Sequence, residues 1–209
     1  MLVAIDGPAA SGKGTLARRL AAALGVPHLD TGLLYRAVGR RVLDAGGDPS
    51  DPVAAEAAAR ALTPADLTRA DLRGPDADAA SGTVAGIAGV RAALLDFQRA
   101  FGAAGAVLDG RDVGTVVFPD APAKLFVTAS LDARARRRWL ELRGRGIDAR
   151  FDAVRADMAA RDASDAARAV SPLRAAADAI WLDTTELDAD AAFARALRAV
   201  EERLGAKLV

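Results

Sequence analysis

The stretch GPAASGKGT, residues 7–15, constrains the fold of this chain more than any other part of the sequence. It follows the apolar run Leu2–Ile5, which predicts a buried strand, and leucines at 16, 20 and 24 then mark one face of a helix. Glycines are unfavourable inside regular structure, so a cluster of them between a strand and a helix indicates a loop that turns its backbone N–H groups toward a ligand. The pattern G-x-x-x-x-G-K at 7–13 predicts a polyphosphate-binding loop in which Lys13 reaches the β- and γ-phosphates.

Apolar runs bounded by turn residues alternate with helical patterns along the rest of the chain. The further predicted strands are 27–30, 106–109, 124–128 and 179–182, and the predicted helices are 33–45, 88–101, 131–143, 150–162 and 188–204. This alternation predicts an α/β fold of three layers, with a parallel sheet between helices. The segment 46–80 is rich in Ala, Asp and Pro and shows no convincing strand, so we interpret it as a helical insertion with a loop near 73–82.

Composition limits the class of partner. Cationic and acidic residues number 28 each, which argues against general binding to nucleic acid or anionic membranes. The absence of cysteine excludes disulfides and thiolate metal sites. No apolar stretch approaches the ~18–20 residues of a membrane span, and the N-terminal run is too short for a signal peptide. We expect a soluble cytoplasmic monomer that binds small molecules and neither nucleic acid nor membranes.

The residue after the loop lysine departs from the commonest pattern. Gly14 stands where a magnesium-binding Ser or Thr is usual, and a hydroxyl follows only at Thr15, which we interpret as a phosphate contact. The form G-K-G-T is typical of nucleoside monophosphate kinases, and the chain shows no N-K-x-D motif of the kind that GTPases use to read the base.

Arginines and aspartates follow the predicted strands, where ligands gather in open α/β sheets. Arg36 comes after the second strand, and Arg111 and Asp112 come after the third. In RDASDAAR the spacing of Arg161, Asp165 and Arg168 predicts one shared helix face.

This pattern indicates phosphoryl transfer between two phosphates. Such a reaction needs cations that stabilise spread negative charge, and an acceptor phosphate that arrives ionised needs no protein base. The only histidine, His28, is accordingly interpreted as structural.

The arginine-dense stretch ARARRRWLELRGRG at 133–146 has two interpretations. It could form an RNA-binding or solvated face, or a lid that brings arginines onto the transferring phosphate. Given the phosphate loop we favour the lid, with Arg134 and Arg138 one helical turn apart and Trp139 as a packing residue.

Five motifs, taken together and in order, resemble the bacterial cytidylate kinase family. They are G-P-x-x-S-G-K-G-T, D-T-G-x-x-Y-R, D-G-R-D-x-G-T-V-V-F-P-D-A, R-D-x-x-D-x-x-R-A-x-x-P-L and the arginine-rich helix. The resemblance implies a P-loop kinase fold, with a five-stranded parallel sheet flanked by helices in a single domain over 1–209. It also implies a helical insertion that binds the nucleoside monophosphate at about 31–100 and a short lid at about 131–157. The implied reaction is direct transfer of the γ-phosphate of ATP to CMP or dCMP with Mg²⁺.

The resemblance also implies roles for individual residues. ATP would be held by Gly7, Pro8, Ala9, Ala10, Ser11, Gly12, Lys13, Gly14 and Thr15. The catalytic cations would be Lys13, Arg111, Arg134 and Arg138. CMP would be bound by Thr31, Arg36, Arg91, Arg111, Asp112, Arg161, Asp165 and Arg168.

Within the CMP set, the resemblance implies that Arg36, Arg111 and Arg168 clamp the acceptor phosphate and that Arg161 and Asp165 meet the ribose. Asp112 would contact cytosine, with Arg91 close by; the alternative is that Asp112 only caps its turn or pairs with Arg111. Asp109 would orient water bound to magnesium. A hydroxyl near the base could come from Ser81 or from Thr83.

Two other functions stay open on the residues alone. One is a different small P-loop kinase, acting on UMP, shikimate or gluconate. The other is an ATP-gated RNA-binding protein that uses the 133–146 arginines.

Overall fold

The computed structural model describes residues 1–72 and 74–205. They form two compact units, one made of Met1–Leu29 with the chain from Ala104 onward, the other of Asp30–Ala103. The bounds of the second unit lie close to the insertion expected at 31–100, whose role in binding a nucleotide remains a prediction.

The first unit contains a five-stranded sheet. Its strands are β1 (Leu2–Asp6), β2 (His28–Asp30, whose last residue opens the second unit), β3 (Ala106–Gly110), β4 (Ala123–Thr128) and β5 (Ile180–Asp183). The order is β2-β3-β1-β4-β5, and β1 pairs in parallel with both β3 and β4. All the strands predicted from apolar runs are present, so that prediction is confirmed.

The described residues of this unit also form four α-helices. They are α1 (Lys13–Leu24), α6 (Leu131–Gly144), α7 (Phe151–Ala167) and α8 (Ala189–Leu204). Leucines 16 and 20 of α1 and Ala196 and Val200 of α8 are buried in one cluster with Val3, Ile5, Val107, Leu125 and Val127 of the sheet. This core holds β1 and α1 rigidly, and with them the loop that joins them.

Helices α6 and α7 share a smaller core of their own, built on Ala135, Val154 and Met158. Trp139 packs edge-on against Phe151, with ring centroids 6.3 Å apart, and its Nε1 donates to Ala149 O at 2.8 Å. Trp139 thus packs against the start of α7, in line with its interpretation as a packing residue.

The second unit is helical, as its alanine-rich composition predicts. It contains α2 (Thr31–Asp44), α3 (Pro52–Arg60), α4 (Pro75–Val84) and α5 (Ala88–Gly102), with short 3₁₀ turns at Pro64–Thr68 and Ala70–Leu72. A Cβ on Gly39 of α2 would lie 2.7 Å from Ala80 Cβ, so this glycine permits the close approach of α2 to α4.

The prediction of a loop near 73–82 is wrong from residue 75 onward, because those residues belong to α4. Proline at a first helical position and aspartates in a first turn favour a helix start, but the same residue types also favour turns, and for that reason the sequence predicts a loop here. Residue 73 of the expected loop lies outside the described residues.

Within the described residues no single helix is long and apolar enough to cross a membrane, and only the pair Asp76–Val84 and Ala88–Gly102, bent by 97°, meets the length and composition test together.

Candidate active site

The glycine loop between β1 and α1 has a backbone that fits an anion. Gly7 has φ +156°, and a Cβ there would lie 2.0 Å from Val127 O, so a larger residue does not fit. Ala10 and Gly12 have φ of +56° and +89°, and such left-handed residues turn neighbouring N–H groups toward one concavity. The first turn of α1 contains no acidic side chain, so the partial positive charge of the helix start faces the same loop.

Side chains of the loop offer polar groups to a ligand. Lys13 Nζ donates to Pro8 O at 3.4 Å, within the loop itself. Ser11 Oγ is buried and has no hydrogen-bond partner among the described residues, and a buried hydroxyl in that condition points to a bound group. Thr15 Oγ1 is exposed and accepts from Arg18 Nη2 at 3.3 Å.

A threonine directly after β5 forms a hydrogen bond with the backbone of the phosphate loop. The buried Thr184 donates through Oγ1 to Ser11 O at 2.9 Å, and Arg137 Nη1 donates to the same Oγ1 at 3.0 Å. Neither residue was singled out from the sequence, because Thr184 lies 173 positions after Ser11 and belongs to no motif.

Arg134 lies against the loop. Its guanidinium donates to Ala9 O at 3.4 Å and to Ala129 O at 2.9 Å, and it forms a two-pronged ion pair with Asp162 at 3.1 and 2.6 Å. Arg138, predicted as its companion, pairs with Glu141 on its own helix at 2.9 Å. The structure thus places one of the two predicted lid arginines beside the phosphate loop.

Asp109, the penultimate residue of β3, is a buried carboxylate. His28 Nε2 donates to its Oδ1 at 2.7 Å, and a Cβ on Gly14 would lie 3.7 Å from its Oδ2. The carboxylate therefore lies beside the position where related loops carry a magnesium-binding hydroxyl. His28, interpreted as structural, is in direct contact with this residue.

A single carboxylate fits Mg²⁺ that arrives bound to the phosphates of ATP and keeps most of its waters. Among the described residues no group of three or more His, Cys, Asp or Glu side chains could form a protein cage for a metal.

Two candidate arginines for the acceptor phosphate meet at Asp165. Arg111 Nε contacts Asp165 Oδ2 at 2.7 Å, and Arg168 Nη2 contacts Oδ1 at 2.5 Å. Burial opposes ionisation of Asp165, but the charges of Arg111, Arg168 and Arg161 outweigh it and hold its pKa below the usual value. The predicted ribose contact is untested, and the structure shows in addition that Asp165 holds two arginines in place.

The expectation that Arg161, Asp165 and Arg168 share one helix is wrong for Arg168. Helix α7 ends at Ala167, and Arg168 has an extended ψ of 132°. The helix stops because Asp165 O accepts from Leu173 N at 2.8 Å, so the chain folds back.

Asp112 follows β3 and is buried. Its carbonyl accepts from Val116 N at 2.8 Å and starts the short π-helical turn Val113–Val117, but its side chain makes no capping hydrogen bond. The Asp112 side chain therefore does not cap its turn.

In the second unit Arg36 Nε contacts Asp78 Oδ1 at 3.0 Å. The buried Arg91 donates to Ala85 O at 3.1 Å, and its guanidinium lies 5.3 Å from the centre of the Tyr35 ring. Thr31 is buried at the first position of α2. Asp78 was not predicted, because an aspartate in an Asp-rich segment carries no distinguishing signal.

The two hydroxyl candidates both bond to carbonyls of α4. Ser81 Oγ donates to Asp78 O at 2.9 Å and is buried, whereas Thr83 Oγ1 donates to Ala79 O at 3.3 Å and is exposed.

The sequence from residue 3 to residue 202 matches the family described as Cytidylate kinase. This chain belongs to the cytidylate kinase family. It is therefore an enzyme of the nucleoside monophosphate kinase class, and the family predicted from the motifs is confirmed. A cytidylate kinase of Acidiphilium cryptum is 63% identical over 98% of this chain and 97% of that protein. One of Granulibacter bethesdensis is 64% identical over 97% and 98%.

Solved structures support the fold alone. An uncharacterized protein from Eubacterium ventriosum superposes with a TM-score of 0.56 at 14% identity, over 96% of this chain and 98% of that one. The predicted α/β fold with a central sheet is confirmed.

Proposed function

We propose that this member of the cytidylate kinase family transfers the γ-phosphate of MgATP to CMP or dCMP, giving ADP and CDP or dCDP. The observation that carries the proposal lies on helix α7. Asp162 binds Arg134, which touches the phosphate loop, and Asp165 one turn later binds Arg111 and Arg168. Residues three apart on a helix are neighbours, so one helix turn holds the cations proposed for the donor and for the acceptor.

On the donor side, the loop N–H groups, Lys13 and Ser11 bind the phosphates of ATP. An open hollow of about 840 Å³ is lined by the first turns of α6 and α7, by Trp139 and by the loop after β5. That loop begins with Thr184, which donates to Ser11 O. Its volume is in the range of ligand sites, and we assign it to the adenosine part of ATP. Arg136 and Thr185 are among its lining residues.

The reaction needs no general base. An oxygen of the CMP phosphate attacks the γ-phosphorus, the bond to the β–γ bridging oxygen breaks, and ADP leaves with the charge. Lys13 and Arg134 stabilise the charge that develops on the transferring group, and Asp109 holds water of the Mg²⁺ that accompanies ATP. Arg138 and the second-unit residues Thr31, Arg36 and Arg91 keep the roles predicted for them.

Cytosine is selected by a carboxylate. Cytosine presents an exocyclic amine donor at the position where uracil presents a carbonyl acceptor, and the Asp112 carboxylate accepts from that amine. Facing uracil, the same carboxylate would meet a second acceptor and stay unpaired in a buried site. A site built on such a hydrogen bond can reject the mismatched base by ~10²-fold or more.

The test is an ADP-release assay with CMP, dCMP, UMP, shikimate and gluconate, run on the wild type and on Asp112→Asn. We expect CMP and dCMP to be the preferred acceptors. The Asn amide can donate as well as accept, so the ratio of kcat/KM for CMP over UMP should narrow while KM for ATP is unchanged. Asp120→Asn, an exposed residue of the same segment, is the matched control and should keep the ratio.

Two outcomes would contradict the proposal. An unchanged ratio with impaired ATP handling would move Asp112 to the phosphate and magnesium side of the site. RNA retention at physiological ionic strength, without ATP turnover stimulated by CMP, would favour the RNA-binding function. We further infer that the protein is cytoplasmic and monomeric. Size-exclusion chromatography with light scattering tests the monomeric state.

A further inference from the structure

The last residue of β1, Asp6, is a buried carboxylate that belongs to no role described above. It is 3% exposed and directly precedes Gly7 of the phosphate loop. Its Oδ1 accepts from Val113 N at 2.8 Å, and its Oδ2 accepts from Gly114 N at 2.7 Å. Both oxygens of the Asp6 carboxylate therefore bind the backbone of residues 113–114, more than a hundred residues later in the chain.

That segment directly follows Asp112, the residue proposed to read the base. Its geometry leaves little freedom, because a Cβ on Gly114 would lie 3.3 Å from Asp6 Oδ2 and 3.3 Å from the Lys124 side chain. On the other side of Asp112 the chain is fixed by β3, where Gly110 pairs with Asp6 in register. Asp6 thus anchors the backbone on the far side of Asp112, while the sheet anchors the near side.

We propose that Asp6 is a positioning residue for acceptor selection, which holds residues 113–114 and thereby orients the Asp112 side chain toward the acceptor base. This inference rests on the proposed function. Because Asp6 also directly precedes the phosphate loop, the same residue fixes the base-reading segment relative to that loop.

The protonation state of Asp6 allows the proposal to be tested also by the pH dependence of acceptor selection. Burial raises its pKa to about 7, against hydrogen bonds from Gly114 and Val113 that lower it; the charge of Asp112 raises it and that of Lys13 lowers it. Lys124 also packs on Gly114, with its ammonium on Asp178. The ionised carboxylate accepts both N–H bonds more strongly than the protonated one, since protonation turns one oxygen into a hydroxyl, which is a weaker acceptor. The clamp should therefore weaken as pH falls through about 7.

The experiment compares Asp6→Asn with the wild type, using CMP and UMP at pH 6 to 8. An Asn amide keeps one acceptor and presents an NH₂ group to the other N–H. We expect kcat/KM for CMP to fall by about 10-fold, the loss of one hydrogen bond to a charged group. The CMP-over-UMP ratio should narrow, and KM for ATP should change by less than about 2-fold, because no donor contact is removed. In the wild type the CMP-over-UMP ratio should narrow toward pH 6, and in Asp6→Asn this pH dependence of the ratio should be absent. Protonation of the acceptor phosphate, whose second pKa is about 6, affects CMP and UMP alike and cancels in the ratio.

Asp188→Asn is the matched control. Asp188 also accepts two consecutive backbone N–H groups, from Asp190 at 3.0 Å and Ala191 at 2.8 Å, but it does so at the exposed start of α8. The same chemical change there should lower stability and leave the CMP-over-UMP ratio and KM for CMP unchanged. Gly114→Ala disturbs the clamp from its other end and should narrow the ratio in the same direction, so the test survives if Asp6→Asn does not fold.

The possible outcomes distinguish a failure of the proposed function from a failure of the inference about Asp6. Wild-type protein without CMP turnover would refute the proposed function itself. Active wild type, with variants that lose kcat equally for CMP and UMP and keep the wild-type pH profile, would show that Asp6 only stabilises the fold and would overturn the inference.

Discussion

Replacing Asp165 with Asn should be among the most destabilising conservative changes in this chain. The carboxylate is 2% exposed and sits 2.7 Å from Arg111 and 2.5 Å from Arg168, both largely buried. A neutral amide leaves two guanidinium groups without their counter-charge. Removing one partner of a buried ion pair costs about 3–5 kcal/mol, which for a chain of this length lowers Tm by roughly 6–20 °C.

The pH dependence of this loss has a definite sign. The pKa of Asp165 is lowered in the folded protein, so its stabilising contribution is fully present above the unfolded-state pKa of about 3.9 and is lost as pH falls toward the folded-state value. The difference in unfolding free energy between wild type and Asp165→Asn should therefore be constant from pH 8 to 5. It should shrink only below about pH 4.

Urea denaturation followed by circular dichroism measures this difference. The matched control is Asp132→Asn, since Asp132 pairs with Arg155 at the same 2.5 Å but both side chains are exposed, 71% and 48%. A surface pair of that kind contributes at most about 1 kcal/mol. If the two variants lose equal stability, or if the Asp165 difference grows as pH falls, the account of Asp165 as a buried charge that holds two arginines is refuted.

Three further predictions concern the cations and the second buried acid. Lys13→Ala should lower turnover by at least ~10²-fold with Tm unchanged, because the Lys13 ammonium stabilises phosphate charge and is not packed in the core. Near-normal turnover in the folded variant would contradict the interpretation of residues 7–13 as a phosphate-binding loop. Arg134→Ala and Arg138→Ala should each lower kcat far more than CMP affinity, and only Arg134→Ala should also lower Tm, since it alone removes a buried pair. Loss of RNA affinity in both variants with turnover intact would instead identify an RNA-binding face. For Asp6, a pKa of about 7 against an ordinary 3.8 means that the folded state keeps a proton the unfolded chain has released. The stability of wild type relative to Asp6→Asn should therefore fall by up to about 4 kcal/mol as pH rises from 4 to 7, and a difference independent of pH in chemical denaturation would contradict this.

The sheet could be predicted because its three central strands, β1, β3 and β4, are buried along almost their whole length. Such strands appear as short continuous apolar runs, and each of the five lies within a residue or so of its run. Helix α4 could not be predicted in the same way. Its sequence PDADAASGTV contains the residues that also favour turns, and only packing against α2 decides between the two.

The phosphate loop could be predicted because its chemistry is local, with every residue of the motif adjacent in sequence. The contacts that position the other groups join distant residues of common type. His28 meets Asp109 across 81 positions, Asp6 meets Val113 across 107, and Arg134 meets Asp162 across 28. In a chain with 28 cationic and 28 acidic residues, no spacing rule singles out those pairs.

The central position of β1 also governs when this protein can acquire its ligand during folding. Leu2 pairs with Ala106 on one side and Val3 with Ala123 on the other, so both neighbours of β1 come more than a hundred residues later. Contacts this distant in sequence form slowly, because loop-closure entropy is lost before they stabilise the chain. The loop needs β4 as well, since Gly7 is packed against Val127 O, and Thr184 beneath Ser11 comes later still. A nascent chain or a fragment ending near residue 103 contains β1 and the whole GPAASGKGT motif but lacks β3, β4 and β5, which hold β1 and the loop in place. We therefore expect nucleotide binding to be among the last properties to emerge during synthesis.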